Sequence, residues 1–244
     1  MGGSGKGILS RQGVTVIACT NRRSYIHNLF HNFLRQTHSV KEMIVVVNHN
    51  AIPLAPYRKK AARHPNIHIF RLPEHFTLGA CLNFAARKAK HDIIAKFDDD
   101  DYYAPRYLAN SLAALRRTKA DVLGKRAHYM YLNGSNTLIL RFPHAELKPA
   151  AKLPGATLVI KKKVFSQVLF PHQNVGEDDL FCVRSKRKGF KVFSGDKYHF
   201  AAVRRKNISS HTWKISDREL LAHHKRIPGV HNYQKYVQNK KGGV

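Results

Sequence analysis

The sequence predicts an α/β fold in which a mostly parallel sheet carries helices on both faces and is followed by a smaller antiparallel portion. Three observations predict it. Over residues 14–97, short apolar runs rich in β-branched residues alternate with amphipathic helical segments, the pattern of successive βαβ units. The connections between these segments are short, as in doubly wound sheets. Beyond residue 121 the pattern changes to paired strands about Asn133-Gly134, a hairpin turn signal.

The elements follow in order. Val14 to Cys19 reads as a buried strand. Ser24 is placed to cap a helix over Tyr25 to Gln36, where Ile26, Leu29, Phe30 and Phe33 recur at helical spacing. Glu42 to Val47 is a second strand that ends at Asn48-His49-Asn50, and residues 54–64 form a short basic helix. Ile67 to Phe70 is a third strand, and Leu78 to Lys90 a helix whose late lysines complement its dipole. Asp92 to Phe97 is a fourth strand and delivers Asp98, Asp99, Asp100 and Asp101 at its carboxyl end. A helix starts after Pro105. Val122 to Leu132 and Asn136 to Phe142 read as antiparallel strands, Thr157 to Ile160 as another, and Asp179 to Lys188 as a helix. Val192-Phe193 and Tyr198 to Val203 are short strands, and Asp217 to Lys225 is helical. Residues 1–12 read as a flexible lead, 13–226 as one domain and 227–244 as a basic tail.

Composition narrows the function. The 244 residues hold 43 Lys+Arg against 15 Asp+Glu, a formal charge of +28, yet 43% of residues are hydrophobic, which excludes a disordered chain. The longest apolar runs, Val14 to Cys19 and Met43 to Val47, are far shorter than a membrane span. The start, Met1 to Gly7, is glycine-rich rather than an apolar signal core. Cys19, Cys81 and Cys182 form no CxxC, which favours a reducing, cytoplasmic setting and no structural zinc.

Seven of the 15 acidic residues fall in two runs, Asp98–Asp101 and Glu177–Asp179. Four adjacent aspartates repel one another and need compensation, which a hard divalent cation with oxygen ligands supplies. Alternate side chains share a side, so Asp98 and Asp100 pair on one side and Asp99 and Asp101 on the other. Ligands of doubly wound sheets bind beyond the carboxyl ends of the strands, so Thr20, Asn21 and Arg22 are expected to face the same crevice. A solvated acidic loop with capping aspartates is the ordinary alternative. The second run opens a helix, where capping accounts for one or two carboxylates. Three after Gly176 point to a general base beside the first site. His211, downstream of Arg204 and Arg205, is a candidate metal or phosphate ligand, and either arginine could clamp a diphosphate. The glycine-lysine start lacks P-loop spacing, and His27 and His31 lack the glutamate of a zinc hydrolase.

With these residues in view, the chain resembles glycosyltransferases of family 2, over most of its length. Val14 to Thr20 is similar to the family's opening strand, Asp98 to Pro105 to its D-x-D-D…P segment, and Glu177-Asp178 to its later E-D pair. Gly155-Ala156-Thr157, the G-E-D and His211-Thr212-Trp213 resemble a subgroup that includes spore-maturation glycosyltransferases. The resemblance implies a GT-A fold: a Rossmann-like, mostly parallel sheet with a smaller antiparallel acceptor-side portion. It implies that Asp98 holds the nucleotide side of the donor, with Asn83, Asp99 and Arg204 among the donor-binding residues. Asp100 would ligate Mn²⁺ or Mg²⁺ on the diphosphate, His211 would be a second ligand, and Asp178 the general base of an inverting displacement. Where the family places an aspartate to read the base, this chain has Asn48, whose amide can still bond a pyrimidine edge. The implied donor is a nucleoside-diphosphate sugar, UDP or dTDP.

The positive charge adds an expected anionic acceptor, such as a cell-envelope or spore polymer, and peripheral contact with anionic membrane at its inner face. Specific nucleic-acid binding is not expected. Binding of nucleic acid or another polyanion, and metal-dependent nucleotidyl transfer, stand as the alternatives.

Overall fold

A computed structural model describes residues 12–206 and 215–238. Four parallel strands form one half of the main sheet: β1 (Val14–Thr20), β2 (Lys41–Val47), β3 (Ile67–Arg71) and β4 (Ile93–Lys96). They lie in the order β3-β2-β1-β4, so the chain winds outward from β1 to β3 and then returns to the other side of β1 for β4. That reversal opens a crevice between the carboxyl ends of β1 and β4. Beyond β4 the sheet continues through β10 (Val159–Lys161), β6 (Val122–Gly124), β11 (Val192–Ser194) and the edge strand β9 (Lys148–Pro149). β10 is antiparallel to both its neighbours, and β9 to β11; the other pairs are parallel.

Residue alternation along the strands builds a core on each face. Val14, Val16 and Ala18 of β1, with Met43, Val45 and Val47 of β2, pack beneath α1 (Ile26–Leu34), α2 (Ala55–Ala61) and α4 (Tyr107–Thr118). Ile17, Ile44, Val46 and Ile94 face the other way, onto α3 (Leu78–Lys88) and α5 (Glu177–Arg187). The predicted Ser24 cap is not formed: Arg23–Tyr25 is a 3-10 turn, and α1 starts after it without a side-chain cap.

The second sheet runs β13-β8-β7-β12-β5, from Lys225–Ile227, Thr137–Arg141, His128–Leu132, Phe200–Arg204 and Tyr102–Tyr103. It is antiparallel except for the β7–β12 pair. The predicted strand over Val122 to Leu132 divides between the two sheets, because Lys125 leaves the main sheet to bury its ammonium against Asp196 at 3.0 Å. α6 (Asp217–His223) is closed by a Ser216–Glu219 capping box. Residues read from sequence as a tail join this unit: Ile227 pairs with Leu138, α7 (Tyr233–Tyr236) follows, and Val237 is fully buried. No helix among the described residues is long and apolar enough to cross a membrane.

Candidate active site

The acidic run after β4 is shaped by its neighbours on every side. Asp99 and Asp101 are buried, at 2% and 8% exposure, while Asp98 and Asp100 stay open to the crevice, the alternation predicted from sequence. Its backbone is clamped by α1. Asn28 donates its amide to the carbonyls of Asp99 and Asp101 at 2.8 and 2.9 Å, and Asn32 donates to Asp101 and accepts from the Tyr103 N–H. Asp101 turns away from the crevice and accepts from the Val203 N–H at 2.9 Å, tying the run to the second sheet. Buried backbone groups of an irregular loop need such partners.

Cations neutralise the rest. Arg22 forks onto Asp99 and reaches Asp100 at 3.0 Å, and Arg205 approaches Asp100 at 3.5 Å. Both guanidinium groups lie on the Tyr25 ring, at 4.7 and 5.4 Å from its centroid. Thr20, at the end of β1, donates its hydroxyl to Asp99. Burial, then the adjacent Asp100, pushes the Asp99 carboxyl up to about 6 against the opposing pull of Arg22 and Thr20.

Lys96, the last residue of β4, is bonded to Asp98 and is only 3% exposed. Burial lowers its pKa, but Asp98, Glu177 and Asp178 outweigh that and hold the ammonium above its ordinary value. Lys96 therefore sits between the two acidic runs. The second run opens α5 behind Gly176, which takes φ +75°, a conformation that favours glycine. Asp178 accepts from the Gly155 N–H at 2.6 Å and from the Asp179 N–H at 2.8 Å. A Cβ on Gly155 would lie 3.1 Å from the Asp178 Oδ2 and 3.2 Å from the Lys96 Nζ, tight contacts that glycine avoids. Burial, with Asp178 adding to it, raises Glu177 to about 7 although Lys96 opposes the shift.

Tyr103 completes the link. Its ring stacks on Phe97 at 3.7 Å; its hydroxyl accepts from the Asp98 N–H at 2.8 Å and donates to the Ala156 carbonyl at 2.7 Å. One hydroxyl thus joins the loop that carries the first run to the turn that holds Asp178.

A model of the Glycosyl transferase family 2 matches residues 15–209. The chain belongs to this family. Solved structures share the fold: S. aureus TarS 1-349 (20% identity, TM-score 0.63) covers 79% of this chain and 60% of its own. Its complex with UDP-GlcNAc gives 19% identity, TM-score 0.65 and coverages of 83% and 62%. The mannosyltransferase PcManGT from Pyrobaculum calidifontis, in complex with GDP-Man and Mn²⁺, gives 19%, 0.61, 87% and 59%. This chain therefore spans about three fifths of the length of each of these structures. A comparison with curated proteins finds no match. The GT-A architecture expected from sequence is the one observed, with its mostly parallel main sheet and smaller second sheet.

Several of the residues expected at the site gather at the crevice and others do not. Thr20, Arg22, Asp98, Asp99, Asp100 and Asp178 are joined by the bonds just described, and exposed Asn21 lies between Thr20 and Arg22. Asn48 follows β2 and donates its amide to the Pro73 carbonyl at 2.7 Å. Asn83 is 2% exposed and spends both ends of its amide on the Phe170 backbone, at 2.8 and 2.9 Å, where it braces α3. Arg204 points away from the acidic run to Asp217 at 3.2 Å and to the Ile215 carbonyl; Arg205 is the arginine that faces Asp100. His211 lies outside the described residues. Sequence reading missed Lys96, Asn28, Asn32, Tyr25 and Tyr103. Lys96 alone had a visible signal, a charged residue inside a predicted buried strand.

The donor set suits a hard divalent cation. Asp98 and Asp100 offer oxygen ligands on the open side, and one or two carboxylates plus substrate phosphates suffice for such an ion. Among the described residues no three His, Cys, Asp or Glu side chains form a closed cage.

Proposed function

We propose that the chain transfers a sugar from a nucleoside-diphosphate donor, UDP or dTDP, to an acceptor hydroxyl with inversion at the anomeric carbon. The observation that carries the reading is the wiring of two acidic runs to one crevice through Lys96, Tyr103 and Gly155. Membership of the family and the UDP-GlcNAc and GDP-Man complexes of similar folds support the donor class.

In this reading Thr20, Asn21 and Arg22 receive the nucleotide end of the donor at the carboxyl edge of β1, with Asp98 and Asp99 beside them. Asn48 keeps its amide oxygen for the base, and Asn83 acts at one remove by bracing α3. Asp100, with Asp98 next to it, would hold Mn²⁺ or Mg²⁺, which as a Lewis acid supports the charge that develops on the leaving diphosphate. His211 is proposed as a further ligand. Arg22 and Arg205 now neutralise Asp100 and would turn toward the phosphates of the donor; Arg204 supports them through the neighbouring backbone. Asp178 takes the proton from the acceptor hydroxyl. Two backbone N–H groups fix its carboxylate, which retains lone pairs for that proton. The acceptor is proposed to be an anionic cell-envelope polymer.

The test is product analysis with a panel of nucleotide sugars and Mn²⁺ or Mg²⁺. Release of nucleoside diphosphate, slow without acceptor, is expected. Release of pyrophosphate would assign nucleotidyl transfer instead, and no turnover or nucleotide binding with either metal would overturn the proposal.

A further inference from the structure

Away from the crevice, α5 presents a second surface. Its inner side buries Phe181, Cys182 and Ser185 against the core. Its outer side carries Leu180, Arg184, Arg187 and Lys188, spaced by four, three and one residues and all exposed. Residues that recur at this spacing form one stripe along a helix. The stripe borders an open cleft of about 640 Å³ whose opposite wall is the segment 167–172, including Leu169, Phe170 and His172. Leu169 is 46% exposed, Leu180 39%, and Val175 in the loop that leads into α5 59%.

The charges here are uncompensated. Among the described residues no carboxylate pairs with Arg184, Arg187 or Lys188, although twelve other ion pairs form elsewhere or at the helix start. Asp179, in the first turn of the same helix, is already held by Lys152 at 2.9 Å. Exposed leucines next to unpaired arginines suit one kind of partner in particular. A soluble polyanion satisfies the arginines and leaves the leucines in water. An anionic bilayer satisfies both, since apolar side chains enter the headgroup boundary while basic ones meet the negative surface.

We propose that the outer face of α5, with the 167–175 loop, docks the protein on an anionic membrane. The occupant is the bilayer surface, and the inference does not depend on the chemistry assigned to the crevice. One consequence concerns geometry. Asp178 opens the same helix, about 15 Å from Lys188 at 1.5 Å per residue. Docking therefore holds the mouth of the crevice close to the membrane, within reach of an acceptor carried there.

The experiment is flotation of the full chain with vesicles of phosphatidylcholine alone or mixed 7:3 with phosphatidylserine, at 150 mM salt. Binding to the mixed vesicles only is expected. Leu169→Glu/Leu180→Glu and Arg184→Glu/Arg187→Glu should each weaken it tenfold or more. Arg58→Glu/Lys59→Glu, an equal charge change on exposed residues of α2 across the sheet, should weaken it less than twofold. Equal losses from the α2 and α5 charge changes, or full binding by the leucine variant, would overturn the proposal and leave non-specific charge attraction. A second readout covers variants that fold poorly: Leu169→Trp should shift its fluorescence to the blue on mixed vesicles, beyond any change in the unsubstituted chain. An unchanged spectrum would contradict insertion.

Discussion

The runs Asp98–Asp101 and Glu177–Asp179 carry similar charge and are restrained by different groups. The first follows a strand, and side chains from four other segments hold it: Thr20 and Arg22, Asn28 and Asn32, Tyr103, and Arg205. The second opens a helix, and backbone N–H groups of Gly155 and Asp179 hold its central carboxylate. The difference separates an exchangeable site from a fixed one. Guanidinium groups on Asp100 can be shared with an arriving phosphate, because their ion pairs are made by flexible side chains at the crevice. Asp178 cannot move without breaking the turn at Gly155, which suits a group that must meet one hydroxyl in one geometry.

The largest expected effect tests the fixed site. Asp178→Asn keeps an acceptor for the Gly155 N–H and gives up the one that meets the Asp179 N–H, so the melting temperature should fall only modestly. Sugar transfer should fall about 10²- to 10⁴-fold, the usual contribution of a general base. Transfer at the normal rate would remove Asp178 from that role. Next is the link between the runs. Lys96→Met removes the buried ammonium bonded to Asp98 and should lower stability by about 2–3 kcal/mol in urea unfolding. The cost stays below that of a fully buried pair because Asp98 is 38% exposed.

A pH measurement sharpens the contrast. Glu177 keeps its proton to about pH 7 in the native state, against an ordinary glutamate value of 4.5. Between these values the unfolded chain releases a proton that the native chain retains, so the contribution of Glu177 to stability falls as pH rises. Glu177→Gln should therefore become more stable relative to the parent chain from pH 4.5 to 7, by up to roughly 3 kcal/mol. A difference that stays flat across this window would show that burial does not govern this carboxyl. The smallest effect belongs to the solvent-exposed pair of the second run. Lys152→Ala removes a partner of Asp179 where both side chains are about half exposed, and should cost under about 0.5 kcal/mol in the same unfolding assay.

What the sequence made legible was local. The β-branched runs fixed four parallel strands within a residue or two, and the alternation of Asp98 to Asp101 gave the correct sides. The family match, over residues 15–209, spans all of these segments. What stayed hidden depends on distant partners. No spacing rule marks Asn28 and Asn32 as clamps on a loop some 70 residues away. Arg204 and Arg205 are adjacent and chemically identical, and only the pairing of β12 with β7 decides which one faces Asp100. Asn83 fits a donor-side position by spacing, but the carbonyl and N–H of Phe170 claim its amide. The strand read across Val122 to Leu132 divides because Lys125 finds Asp196, a partner 71 residues on.

In the proposed reaction the two runs serve one crevice with separate duties, one holding the donor and the other activating the acceptor. Nucleotide binding measured by thermal shift, with and without Mn²⁺, on the parent chain, Asp100→Ala and Asp178→Asn tests it most directly. UDP or dTDP should raise the melting temperature of the parent and of Asp178→Asn in Mn²⁺, and that of Asp100→Ala by far less. Loss of the Mn²⁺-dependent shift in Asp178→Asn, or its full retention in Asp100→Ala, would contradict the division of labour.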